Sequence, residues 1–264
     1  MISQTLKVLR YELHNLMRSR WLLIIGLFFL LSTEALFRFG SDPSKAMISL
    51  MNIVLIVIPL MSLILGIIHF YQSREFVELL LAQPVMRSSI YLGKICGLSL
   101  ALSTAFVTGL GLPFVLHSGH VTDYGRNFGV LMAVGCVFIV IFSSLAFMIA
   151  TVYEDKIKGF GAAIVLWLYI SVIYDALILL GIYLFREYPV EKALIFIAML
   201  NPVDLGRILI LLQLDISALM GYTGALFQHF YGGPTGIGLL ALMLGLWLAV
   251  PLGIGLWKFH RKDF

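Results

Sequence analysis

Glu75-Phe76-Val77-Glu78-Leu79-Leu80-Leu81-Ala82-Gln83-Pro84 (EFVELLLAQP) lies between two long apolar runs, residues 47–71 and 88–116. Wound as a helix, it puts Phe76, Leu79 and Leu80 on one face and Glu75 and Glu78 on another. Arg74 precedes it and Pro84 stops it. A helix this short does not hold itself together in water, so something outside it must hold both faces. Lipid takes an apolar face, but a membrane surface that is itself anionic does not select acids. A protein groove takes the apolar side and pairs the acids. The stretch reads as a short helix at a membrane surface, tied to the spans on either side and recognised by a separate protein.

The composition supports the spans. The chain has 264 residues, 61% of them hydrophobic and 12% charged, with a mean hydropathy of +1.01. A water-facing surface needs far more charge, so an all-α membrane protein with one transmembrane domain over residues 1–264 is expected. Six runs are long enough to cross: 21–38, 47–71, 88–116, 128–152, 159–185 and 236–257. None alternates with period two, which excludes a barrel. Cys96 and Cys136 stand far apart in apolar runs and form neither a disulfide framework nor a CxxC site. The opening MISQTLKVLRYELHNLMRSR carries charge throughout, unlike a signal peptide.

The net charge of +4 reads as topology rather than nucleic-acid binding. Lys7, Arg10, Arg18, Arg20, Arg74, Arg87, Lys94, Lys156, Lys158, Lys258, Arg261 and Lys262 fall on one side. Arg38, Lys45, Arg126, Arg186, Lys192 and Arg207 fall on the other. The richer side belongs in the cytoplasm, so both termini are expected there, in a multi-pass protein of the inner (plasma) membrane. Trp21, Tyr71, Tyr91, Tyr153 and Trp257 line the same boundary as an aromatic belt.

Three patterns stand out between the runs. In residues 1–20, Ile2, Leu6, Leu9, Leu13 and Leu16 share one helix face while Lys7, Arg10, His14 and Arg18 occupy another. A basic amphipathic helix of this kind is expected to lie in the headgroup plane. In the third run Gly93, Gly97, Ala101, Ala105 and Gly109 recur every four residues, a face almost without side chains and hence a tight helix-packing seam. The connection 186–235 is expected outside as helical structure. Asn201-Pro202-Val203-Asp204 has the form of a helix start, with Arg207 one turn on, and Asp215 caps a second segment. Both pieces are too short to span and are expected to dip into the outer leaflet or lie on it.

Catalytic signatures are missing. Gly93-Lys94-Ile95 lacks the upstream glycine and the Ser/Thr of a Walker A loop, and HExxH and GxSxG are absent. Asp175 lies inside a run, yet no second aspartate falls inside another, as a proton-sharing dyad requires. Glu34 and Asp175 are the intramembrane polar candidates. Glu34 is placed to pair with Arg38 at i+4, and Asp175 to line a path or bond to Ser171. His117 and His120, with Asp123, form a loose set of metal ligands without thiolates or a fourth ligand, and an ordinary polar loop is the plainer reading. The eleven methionines are scattered as in core packing. No metal site is assigned.

The order of elements is an in-plane helix, two spans, a short acidic-apolar helix ending in proline, then four spans with an external helical segment before the last. This resembles the permease subunit of a type-2 ABC transporter. More narrowly, Glu75–Lys94 (EFVELLLAQPVMRSSIYLGK) and Asn201–Phe227 (NPVDLGRILILLQLDISALMGYTGALF) resemble the NosY family. These are permeases of the copper-processing ABC system that matures nitrous-oxide reductase. The resemblance implies a permease homodimer on a separate cytoplasmic ABC ATPase dimer, which would bind ATP and Mg and carry out hydrolysis. It also implies a periplasmic β-helical copper-accepting partner. On it, region 72–87 is the coupling region, with Arg74, Glu75, Phe76, Glu78, Leu79 and Leu80 docking the ATPase. Asn201, Pro202, Asp204, Arg207 and Asp215 fall in the region facing the outer partner. This chain is then no enzyme and holds no cofactor of its own. A type-2 ABC exporter of a lipid, drug or glycan shares the scaffold, and a membrane scaffold or intramembrane enzyme without a motor would need no ATPase at all.

Overall fold

The computed structural model describes residues 2–40, 43–117, 125–185, 196–213 and 233–262. All regular structure among them is helical. The elements are α1 (Ile2–Met17), α2 (Arg20–Phe39), α3 (Pro43–Gln72), α4 (Arg74–Leu81), α5 (Arg87–Leu116), α6 (Gly125–Val152) and α7 (Lys156–Leu168). A π-helical turn (Tyr169–Ile173) leads to α8 (Tyr174–Leu184), followed by α9 (Pro202–Gln213) and α10 (Pro234–Arg261). Six helices are long and apolar enough to cross a membrane, with α7, the π turn and α8 forming one continuous span over Lys156–Leu184. They coincide with the six expected runs to within a few residues at each end.

The three middle spans form the core. The most apolar stretch of α6 is 67% buried, against 17% in both the fifth span and α10. α6 is therefore the central post, packed on α3, α5 and α10, while the fifth span and α10 turn much of their apolar surface outward. Leu177, Leu179, Leu180 and Leu184 of α8 are exposed, which suits acyl chains rather than water. Inside, Phe29 meets Phe106 edge to face at 5.1 Å, and Phe147 receives Phe70 and Tyr91 in the same manner. Such contacts add to burial because ring edges are positive and ring faces negative.

The small-residue seam on α5 is filled within the chain. A Cβ on Gly93 would stand 2.8 Å from the Val8 side chain, and one on Gly97 2.7 Å from Glu12 Cβ. Thr104 Oγ1 reaches Met17 Sδ at 3.6 Å. Contacts at Gly93, Gly97 and Thr104 thus take up residues 8, 12 and 17 in turn, so α1 lies along this half of α5. Beyond them α2 takes over: a Cβ on Gly109 would stand 2.6 Å from Gly26 O and 2.9 Å from Phe29 Cβ. Ala101, between Gly97 and Thr104, is fully buried. The buried side of α1 is accordingly pressed on protein.

The end of the bundle that carries both termini is tied by side chains. Tyr71 Oη donates to Tyr153 O at 2.6 Å, joining α3 to the turn before α7. Asp155 caps α7 by accepting from Ile157 N at 2.8 Å. Arg87 donates to His260 O and Lys262 O, both at 2.8 Å, and so closes the last turn of α10.

Close packing at Gly109 makes a direct prediction. Gly109→Val should lower stability by about 1–3 kcal/mol, the usual cost of overpacking, measured by thermal unfolding in detergent. Gly161→Val, where a Cβ meets nothing within 4 Å, should leave the melting temperature nearly unchanged.

Candidate functional site

At the termini end, α4 is only eight residues long and is held by its neighbours. Val77 is buried. Phe76 stacks on Tyr11 of α1 at 5.0 Å, and Lys94 Nζ sits 5.6 Å from the Phe76 ring centroid. Gln4 at the start of α1 brackets the next connection: its Nε2 donates to Pro84 O at 3.3 Å, and its Oε1 accepts from Met86 N at 3.5 Å. Phe76 therefore faces α1 rather than outward, and Leu80 is half-buried. The face left open carries Glu75, Glu78 and Leu79, the last 67% exposed. Arg74 pairs with Glu78 at 3.3 Å in the open, which orients the pair more than it stabilises it.

Behind this platform lies a buried charge cluster that no sequence motif marks. Glu12 and Lys94 are 2% and 1% exposed. Glu12 Oε1 pairs with Lys94 Nζ, and Oε2 lies 3.2 Å from His69 Nε2 as an ion contact. α1, α3 and α5 each contribute one member. Burial pushes the Glu12 carboxyl up, but the His69 contact and the Lys94 charge outweigh it and hold the group at about 2. Lys94 is thus more than a charge that sets topology. It joins the α1–α5 seam to the ring of Phe76 on α4.

The second cluster lies at mid-depth, toward the opposite end. Tyr174 N–H bonds to Tyr169 O, five residues back, and so passes over Ile170 O. That carbonyl accepts from Asn201 Nδ2 at 2.9 Å, while Asn201 Oδ1 accepts from Val203 N at 2.9 Å and caps α9. Tyr174 Oη donates to Ile197 O at 2.6 Å. Residues 197 and 201 meet residues 174 and 170, so the chain descends the fifth span to near its middle. α9 then returns, with Arg207 opposite Asp175. A Cβ on Gly206 would collide with the Phe138 ring halfway along α6. Backbone can enter a membrane protein this way only when other helices enclose it, and Asn201, Val203, Asp204 and Leu205 are all buried.

Arg207 binds two acids, Asp175 Oδ2 at 2.8 Å and Asp204 Oδ1 at 3.1 Å. Burial, with Asp175 facing it, pushes the Asp204 carboxyl up, and Oδ2 of Asp204 has no hydrogen-bond partner. Three sequence expectations are corrected here. Asp175 pairs with Arg207 rather than Ser171, whose hydroxyl is left unbonded. A second aspartate does come to depth beside Asp175, and Arg207 binds both, so the pair is held by a guanidinium. Asn201, Pro202 and Asp204 are buried and so hold α9 in the bundle rather than facing outward, while Arg207 is half-buried. Asp215 lies outside the described residues. Glu34 differs as well: its ion contact is with His117, at 3.7 Å, rather than Arg38. His120 and Asp123 lie outside the described residues, and no cluster of three metal-ligating side chains occurs among those described.

Six apolar helices, a short helix seated on a platform at the termini end and a re-entrant segment before the last span define a membrane permease. The chain belongs to the ABC-2 family of transporter proteins, whose family model matches residues 6–264. It is 27% identical to a protein of Pseudomonas aeruginosa described as a probable ABC transporter permease protein NosY, over 97% of each chain. It is 25% identical to one of Stutzerimonas stutzeri carrying the same description, over 99% of each chain.

Two outcomes follow. Lys94→Met should cost about 3–5 kcal/mol in thermal unfolding, because it strands a buried carboxylate, while Glu12→Leu with Lys94→Met should recover most of the loss. For Asp204, a carboxyl raised above its unfolded value favours the folded form at low pH and withdraws that support as pH rises. The protection of residues 202–213 against hydrogen exchange, corrected for the intrinsic rise of amide exchange with pH, should therefore fall as the pH is raised above the ordinary carboxylate range, and Asp204→Asn should flatten that dependence.

Proposed function

We propose that the chain is the permease subunit of an ABC transporter whose separate ATPase docks on the open face of α4, and that the system serves copper-centre maturation of nitrous-oxide reductase. The observation that carries the docking reading is the division of α4. Phe76 is committed to α1 and α5 and Val77 is buried, while Glu75, Glu78 and Leu79 remain outside in one patch beside Arg74. A groove with basic rims and an apolar floor would fit that patch. Nucleotide-driven closure of the ATPase would shift α4, and the Phe76–Tyr11 and Phe76–Lys94 contacts would carry the displacement into α1 and α5. ATP and Mg would stay on the partner, and the docking face and both termini would lie in the cytoplasm of an inner-membrane protein. The basic bias at that end supports this orientation.

The copper assignment rests on the resemblance of Glu75–Lys94 and Asn201–Phe227 to the NosY family and on relatives that bear that name over nearly their whole length. The same resemblance implies a second copy of the permease and an outer β-helical copper-accepting partner.

Affinity purification of the tagged chain from native membranes tests both parts. Wild type should retain an ABC ATPase together with an outer β-helical protein. Glu75→Lys with Glu78→Lys should reduce ATPase recovery about tenfold or more, as expected when like charges replace complementary ones across an interface, while membrane insertion stays intact. Unchanged recovery refutes the docking face. An ATPase without the outer protein moves the reading to an exporter.

A further inference from the structure

Where α6 ends beside the end of α10, an open cavity of ≈ 240 Å³ is lined by Thr151, Val152, Glu154, Trp257, Lys258, Arg261 and Lys262. Among the described residues the lining holds three cations against one acid, in a chain with few charges to place. The contacts already described do not use up these cations. Arg261 lies over the Trp257 ring at 4.2 Å and its guanidinium has no hydrogen-bond acceptor among the described residues. Lys262 spends one N–H on Thr151 O at 3.3 Å. The cavity is also prearranged, because the bonds from Arg87 to His260 O and Lys262 O fix the end of α10 that carries the three cations. Burial lowers the Lys262 ammonium; Glu154 opposes that and Arg74 adds to it. An anion entering here would relieve the excess positive charge.

A second observation decides which kind of anion. On α10, Leu246, Val250, Ile254 and Trp257 are exposed at spacings of four, four and three, an apolar stripe that runs along one face of the helix up to the cavity. A soluble phosphate or an acidic side chain would use the cavity and leave the stripe idle. A phospholipid uses both, with its headgroup phosphate among the cations and an acyl chain on the stripe. Trp257 stands at the junction, with an apolar body and a polar N–H suited to the interface between them.

We propose that this cavity is a binding site for an anionic phospholipid of the leaflet at the termini end. It selects by charge, through Lys258, Arg261 and Lys262, and the volume suits a phosphate-centred headgroup rather than a ligand swallowed whole.

The test uses the full chain, purified, delipidated and titrated with dioleoyl-phosphatidylglycerol or dioleoyl-phosphatidylcholine, with bound lipid read by native mass spectrometry. Wild type should retain the anionic lipid about tenfold better. Lys258→Gln with Arg261→Gln should bring the ratio near one. Lys156→Gln with Lys158→Gln removes as much charge from the same end at exposed positions and should preserve the preference. Equal retention of the two lipids by wild type overturns the proposal, and so does an equal loss of preference in the control variant, which would reduce the effect to general surface charge. Complete displacement of the lipid by millimolar inorganic phosphate also overturns it, since the cavity would then be a site for free phosphate.

Discussion

The pairing of Glu12 with Lys94 is the constraint from which the termini end of the molecule follows. An ammonium inside a helical bundle is costly unless a carboxylate reaches it. Glu12 reaches Lys94 only if α1 lies along α5 at backbone distance, and that approach is possible because Gly93 and Gly97 carry no side chain there. The glycine seam and the buried charge are therefore one device. The seam brings the carboxylate in, and the charge fixes the register, since sliding α1 by one turn along α5 would strand both groups. His69 adds α3 to the same lock.

This lock explains why EFVELLLAQP is two-faced in the way it is. Eight residues have too little surface to fold alone, so α4 borrows its order from the lock through one ring. Phe76 touches Tyr11 and the Lys94 ammonium, and Val77 is buried beside it in sequence. The acids are left outside because the inner side is already charge-balanced: a further carboxylate would find no free cation near Lys94. The apolar face divides as well. Phe76 turns in and Leu79 turns out, which helical spacing alone does not separate.

What the sequence made legible was whatever repeats within one helix. The six spans, the four-residue seam and the Asn-Pro helix start are local patterns, and each is found where its period or spacing put it. The lock was hidden because its members are 25 or more residues apart and each has a plainer local reading. Lys94 counts among the basic residues of one membrane side, and Glu12 interrupts a leucine stripe. A signal did exist: Lys94 lies three residues after Tyr91 and four before Leu98, both buried, so its own helix points it inward. The Asp204–Arg207 spacing was likewise readable as an i, i+3 pair. Asp175, thirty-two residues away, enters only because the π turn frees a carbonyl that draws Asn201 to mid-depth.

The two buried clusters are built on different charge arithmetic, and this separates their mechanical roles. At the termini end one carboxylate faces an ammonium and an imidazole, so its charge is met, although His69 Nε2 has no hydrogen-bond partner there. At mid-depth two aspartates compete for one guanidinium, one carboxylate oxygen has no partner, and a nearby serine hydroxyl is unbonded. A group left short of partners in a low-dielectric interior gains most from rearrangement. α9 is joined to the fifth span by few bonds, each to a single carbonyl or carboxylate, whereas α1 is joined to α5 along most of its length. α1 and α5 are therefore the more closely joined pair, and the clamp around Arg207 is the buried cluster with more polar atoms left unpaired.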